Sequence, residues 1–212
     1  MNENRFNKFK KTITQKNYGK YWSVAKNTFE IDFKNNNFIN KGLRNYFPDI
    51  YNPELGNNNL LDVNFDSKKD IKIFKLGVKN LCLHKATKNK TLIYAQYYLD
   101  SVTNYLNEKD IVCEIGSGSG LFSALINEKK KTTNILVDIP DVLLTAIALI
   151  FTLFPNKTFL LPNEIKELSS PIDFKKYDFV FLTPDLINHI HDESINFGIN
   201  TQSFMEMDMS LM

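Results

Sequence analysis

The stretch that most restricts this chain is Asp110–Glu128, DIVCEIGSGSGLFSALINE. A short β-prone run, DIVCEI, meets Gly116-Ser117-Gly118-Ser119-Gly120 without a break. Leu121–Glu128 then carry apolar residues at helical spacing, and Lys129–Lys131 sit where a helix C-terminus favours cations. Glycines in a strand-to-helix turn admit backbone angles that a Cβ resists, and they let a ligand lie on the backbone. The helix start that follows offers N–H groups to an anionic or polar ligand.

The next segment repeats the pattern. Asn134–Val137 (NILV) reads as a second strand and ends in Asp138. An acid at that position is a candidate acceptor for two ribose hydroxyls, the logic of nucleotide-binding α/β folds. Its offset of 18 residues from Gly120 is close to the roughly 20 of those folds. Pro140 begins a helix, Asp141 suits its first turn, and Pro155 stops it after Phe154. That helix is apolar almost all round, which predicts cover on most sides. Its apolar run, Val142–Phe154, is too short for a membrane span of roughly 20 residues. The dinucleotide pattern G-x-G-x-x-G fails, because its third glycine falls at Leu121. The pattern E-x-G-x-G-x-G holds instead, at Glu114, Gly116, Gly118 and Gly120, and the phosphate loop G-x-x-x-x-G-K-[ST] is absent.

The first half differs in composition. Residues 1–109 carry 19 Lys and Arg against 10 Asp and Glu, whereas residues 110–212 carry 7 against 14. The shift marks a boundary near residue 109. A basic half can attract nucleic acid or an acidic glycan, but scattered lysines among many asparagines read as a solvated surface. Phe6, Phe9, Ile13, Tyr18, Tyr21, Trp22, Val24 and Phe29 recur at spacings of three and four, which predicts amphipathic helices whose rings pack on the second half. Residues 34–66 carry turn signals (Asn35–Asn37, Pro48, Pro53, Gly56, Asn57–Asn59) and are expected to be loop. Helices are expected over 68–82 and 90–107, the second on a stripe of Leu92, Ala95, Tyr98, Leu99, Val102 and Leu106 with a stop at Asn107.

Other reactive residues read as bland. His189, His191 and Asp192 form H-x-H-D on an expected surface loop, without the further Cys or His that a metal site needs, so no metal is expected. His84 is isolated. Cys113 lies in a strand and reads as a small core residue, and Cys82 with Cys113 cannot make a disulfide framework. Reduced cysteines, and an N-terminus (MNENRFNKFKK) without an apolar stretch, predict a cytoplasmic protein.

Glu114–Gly120 followed by Asp138 resembles the first two motifs of class I S-adenosylmethionine-dependent methyltransferases. The elements Asp138-Ile139-Pro140-Asp141-Val142-Leu143 and Asn200-Thr201-Gln202-Ser203-Phe204-Met205-Glu206-Met207 are similar to D-[IL]-P-[DE]-x-L and N-x-x-S-F-x-E-M of a family of sugar O-methyltransferases from bacterial surface-polysaccharide gene clusters. The resemblance covers about residues 85–212. It implies an α/β, Rossmann-like methyltransferase domain over 90–212 behind an N-terminal, mainly helical arm over 1–89. It implies S-adenosyl-L-methionine as cofactor and a sugar or glycan hydroxyl as methyl acceptor. Carried over by position, Gly116, Ser117, Gly118 and Gly120 line the methionine and ribose end of the cofactor, Glu114 approaches the methionine, and Asp138 the ribose. Tyr177–Leu182 becomes the third strand, with Thr183 and Asp185 in the loop beside adenine. Ile195–Ile199 becomes the fourth, with Asn200 at its end, and Lys157–Leu161 is left as an extra strand or an insertion. The alternative makes Lys157–Leu161 the third strand and Tyr177–Leu182 the fourth.

Methyl transfer to a hydroxyl needs in-line positioning and a general base. Glu206 is the carboxylate of the family element and the candidate base. Asn200 and Ser203 are candidates to bridge cofactor and sugar, with Ser203 on the substrate side. The resemblance also implies more strands than the chain supplies, so an incomplete sheet is expected, as of a truncated member. Two alternatives keep parts of this reading: an RNA methyltransferase, on the basic first half, and a non-catalytic cofactor-binding or interaction module.

Overall fold

The computed structural model describes residues 3–12, 31–34, 37–40, 98–165, 167–168, 172–201 and 203, with the backbone alone for 3, 31–34 and 37–40. The expected helix over 68–82, the arm beyond α1 and its hairpin, Cys82, His84 and Glu206 lie outside the described residues.

Seven strands are described. Helix α1 (Glu3–Thr12) precedes an antiparallel hairpin of β1 (Ile31–Lys34) and β2 (Asn37–Asn40). A helical segment, α2, runs through 98–103. An alternating unit follows: β3 (Ile111–Ile115), α3 (Leu121–Lys130), β4 (Thr133–Val137), α4 (Pro140–Leu153), β5 (Phe159–Leu160), α5 (Pro162–Ile165), β6 (Phe179–Leu182) and β7 (Phe197–Asn200). Strands β3 to β7 form one parallel sheet in the order β5-β6-β4-β3-β7. Thus 179–182 lies beside the second strand of the unit and 197–200 on the far side of the first. Phe179–Leu182, and not the segment at 157–161, therefore pairs with β4. The leftover segment supplies only the two-residue edge strand β5. The sheet is α/β and compatible with a Rossmann-like fold.

A parallel sheet is covered on both faces, so its strands read as apolar runs. Val112, Leu136, Phe179 and Phe181 face α3 and α4, where they meet Leu125, Ile147 and Ile150. Ile111, Cys113, Ile135, Val137, Val180 and Leu182 face the other way, onto Ile165, Ile172, Phe174 and Leu186. Helix α4 is buried along Val142–Phe151, as its all-round apolarity predicts, and the hairpin lies against it. Its partners include Phe159 and Phe181, edge-on to Phe151 at 4.3 and 5.9 Å.

The arm is part of this packing. Phe6 and Phe9 are buried in the α3–α4 side of the core, so these two rings pack on the second half as expected, and the other residues of that pattern lie outside the described residues. Burying each contributes roughly 1.5–3 kcal/mol. Arg5 donates from Nε and Nη2 to the two oxygens of Glu164, both at 2.7 Å, and from Nη2 to the Phe159 carbonyl at 3.0 Å. Glu164 Oε2 also accepts the Leu161 N–H at 2.9 Å, so one carboxylate caps α5 and anchors α1.

Two expectations are corrected. Residues 31–34 and 37–40 form strands where loop was expected from residue 34 on: Phe33 and Phe38 sit at paired positions, and the Asn run between them reads as a turn signal for a hairpin as readily as for a loop. The helix expected to run to Asn107 ends at 103. Tyr105 is exposed, and Leu106 is buried from a non-helical segment.

Candidate functional site

In an open parallel sheet, ligands bind beyond the carboxyl ends of the strands, where the strand order reverses. Here β4 lies on one side of β3 and β7 on the other, so the reversal falls at the C-terminal end of β3. Glu114, the glycine turn, Asp138, Asn200 and Ser203 gather there.

The three glycines all have positive φ, +71° at Gly116, +54° at Gly118 and +73° at Gly120, but their surroundings differ. A Cβ on Gly120 would lie 3.0–3.1 Å from Ala146, Ile150 and Leu136, so this glycine lets the helices close on the sheet. A Cβ on Gly116 would overlap Ser203, at 1.9 Å from Oγ. That glycine makes room for a side chain of the protein, where the sequence suggested room for a ligand. A Cβ on Gly118 would have nothing within 4 Å among the described residues, so the middle of the turn is the open part among them.

The backbone of the turn is held by its neighbours. Val137 O accepts the N–H of Gly116 at 2.8 Å and of Ser117 at 3.3 Å, and Ser117 O accepts the Gly120 N–H at 2.9 Å. Asp138 Oδ2 accepts the Gly118 N–H at 2.7 Å, and Oδ1 the Ile139 N–H at 2.8 Å. Asp138 is half-buried. Helix α3 starts on Gly120 with no side-chain cap. Ser117 Oγ is buried and has no hydrogen-bond partner among the described residues.

Glu114 is 2% exposed and accepts a hydrogen bond from Ser123 Oγ at 2.6 Å. Burial, with repulsion from Asp138 added and the Ser123 bond opposing, pushes its carboxyl up to about 8. Glu114 is therefore largely protonated at neutral pH, and Asp138 is the nearby carboxylate that meets the glycine turn directly. Ser123 was not singled out in the sequence, although a lone hydroxyl on the apolar face of α3 is the available signal. Burial and then Glu114 push the Cys113 thiol up to about 11, which leaves it a core residue.

The remaining candidates divide. Thr183 is buried and follows β6, whose Leu182 pairs with Val137, so it stands next to the Asp138 strand end. Asp185 is exposed, two residues into the short 3-10 helix Pro184–His189. Asn200 and Ser203 converge on the carbonyl of Ile115. No group of three or more His, Cys, Asp or Glu able to hold a metal occurs among the described residues, His189, His191 and Asp192 included. Nor, among these residues, is any helix long and apolar enough to cross a membrane.

Among the described residues the arrangement offers a polar ligand a glycine with no side chain against it, the half-buried carboxylate of Asp138, the protonated buried carboxyl of Glu114 and the Ser117 hydroxyl. No family model matches this chain, and no curated protein matches it.

Proposed function

We propose that the chain is an S-adenosylmethionine-dependent O-methyltransferase that transfers a methyl group to a sugar hydroxyl, in the context of surface-polysaccharide synthesis. The observation that carries the reading is the Gly118–Asp138 pair: an open glycine face on one strand end, with the carboxylate of the next strand end bonded to its N–H at 2.7 Å. The residues present fit such a cofactor. The nucleoside ribose has two hydroxyls to donate to Asp138, and Ser117 Oγ is a buried hydroxyl in need of a partner. The order of strands and the motif resemblance support the same reading.

When bound, S-adenosylmethionine supplies an electrophilic methyl group on a sulfonium centre. The work of the chain is then to bind and orient. Asp138 takes the ribose hydroxyls and its negative charge favours a cationic ligand. Glu114, protonated and bonded to Ser123, offers a polar but uncharged wall at the methionine end. Thr183 and Asp185 border the adenine side. The proton of the attacking sugar hydroxyl is assigned to Glu206, on the resemblance alone.

Calorimetric titration with S-adenosylmethionine tests the reading. The wild-type chain binds, and Asp138→Ala weakens affinity by more than about tenfold, or roughly 1.4 kcal/mol. Asp138→Asn keeps an acceptor for Gly118 but loses the charge, and it too binds more weakly. No binding by the wild-type chain, or an unchanged affinity in Asp138→Ala, rejects the site. Transfer of a labelled methyl group to a panel of sugar acceptors then tests the reaction.

A further inference from the structure

The peptide that joins β3 to the glycine turn is fixed at both of its polar atoms. Its N–H, that of Gly116, donates to Val137 O at 2.8 Å, from the β4 side. Its carbonyl, that of Ile115, accepts from Asn200 Nδ2 at 2.9 Å and from Ser203 Oγ at 3.0 Å, from the β7 side. Asn200 Nδ2 also donates to Ser203 Oγ. The Asn200 amide and the Ser203 hydroxyl are therefore both engaged inside the protein, with each other and with the Ile115 carbonyl. Ser203 also seats itself on Gly116, where a Cβ would lie 1.9 Å from its Oγ and 2.1 Å from its Cβ.

We propose that Asn200 and Ser203 are positioning residues, a clamp that sets the glycine turn from the β7 side, and that they do not donate hydrogen bonds to cofactor or sugar. This rests on the reading that the turn binds S-adenosylmethionine, and it assigns the Asn-x-x-Ser pair a role other than the bridge between cofactor and sugar. Gly116 is the complement of the clamp. It is glycine because Ser203 occupies the space of its Cβ. Reorienting the Ile115–Gly116 peptide would break three hydrogen bonds at once, so the open face at Gly118 is held in place before a ligand arrives. A turn held ready loses less ordering entropy on binding.

The experiment combines Ser203→Ala, Ser203→Gly, Gly116→Ala and the double variant Gly116→Ala/Ser203→Gly. Each is studied without ligand, by melting and by the amide resonances of Gly116 and Gly118. Each is also titrated with S-adenosylmethionine at a temperature where it is fully folded. Ser203→Ala is expected to shift both glycine resonances in the absence of ligand and to weaken affinity about tenfold. Ser203→Gly harms the wild-type background but improves melting and affinity in the Gly116→Ala background, because it removes the atoms that the new Cβ strikes. This reversal of sign is the signature of the clamp. A loss of affinity with both resonances unmoved would mean a direct ligand contact and overturns the proposal. So do strictly additive effects. If the wild-type chain does not bind S-adenosylmethionine, the functional reading falls, while the resonances and the melting cycle still decide the clamp.

Discussion

At the N-terminal end of the sheet, polar side chains close backbone gaps. Asp178, just before β6, accepts from Lys157 Nζ and from the N–H and hydroxyl of Thr158, each at 2.8 Å. Asn196 Oδ1, before β7, accepts the Ile111 N–H at 2.8 Å. Asn127 Nδ2 donates to the Thr132 carbonyl at 2.6 Å, while its Oδ1, like Ser117 Oγ, has no partner among the described residues. At the C-terminal end the same residue types are left with work to do. Among the described residues Ser117 Oγ has no partner and Gly118 has no side chain against it, and Glu114 is held protonated by burial. Asp178 and Glu114 show the contrast most directly. Burial raises both, but Lys157 and Thr158 overcome it at Asp178 and hold that carboxyl below its ordinary value, whereas Ser123 alone does not at Glu114. The carboxylate at one end is held ionised by a cation and donors, and the one at the other end is held protonated by burial.

Substitutions at the two ends should therefore separate stability from binding. The largest effect is expected at the packed end of the glycine turn. Gly120→Val forces a branched side chain against Ala146, Ile150 and Leu136 at positive φ, and should destabilise by about 3–4 kcal/mol in denaturant titration. Next is Glu114. The folded protein keeps a proton there that the unfolded chain releases, so this group stabilises most at low pH. That contribution falls as pH rises from 4.5 toward about 8 and is gone above it. Glu114→Gln should remove the slope, matching the wild type near pH 4 and exceeding it in stability at pH 8. Melting curves that keep the wild-type slope in the variant would show that Glu114 titrates normally.

Asp178→Ala should cost about 2 kcal/mol, limited by the partial exposure of its bonds. Its folded pKa is lowered, so its contribution is present above the unfolded value and is lost as pH falls through the folded one. Ligand affinity should not change, and a parallel loss of affinity would erase the contrast between the ends. Asp138→Ala completes the comparison with the reverse pattern, a loss of S-adenosylmethionine affinity larger than its loss of stability.

Much of this was legible in the chain itself. Ile111–Ile115, the three glycines and Leu121–Lys130 follow one another as strand, turn and helix because apolar period, glycine and lysine placement all agree locally. Helix α4 was equally plain, since an all-apolar helix must be covered. The hairpin was not, because four-residue strands flanking an Asn run carry too little alternation. The end of α2 at 103 was missed because Leu106 continues the apolar stripe after the backbone has left the helix.

The sequence by itself determined the alternation of strand and helix, the glycine turn, and the acid that ends β4, because each rests on neighbours within a few positions. Only the tertiary structure decided which strands flank β3, and with them what each glycine is for. Gly116 faces Ser203 from 87 positions further along the chain, Gly120 faces α4, and Gly118 faces open space. The same holds for Glu114, whose proton depends on burial by residues distant in sequence. Contacts of that kind arise when the sheet closes, and no local pattern encodes them.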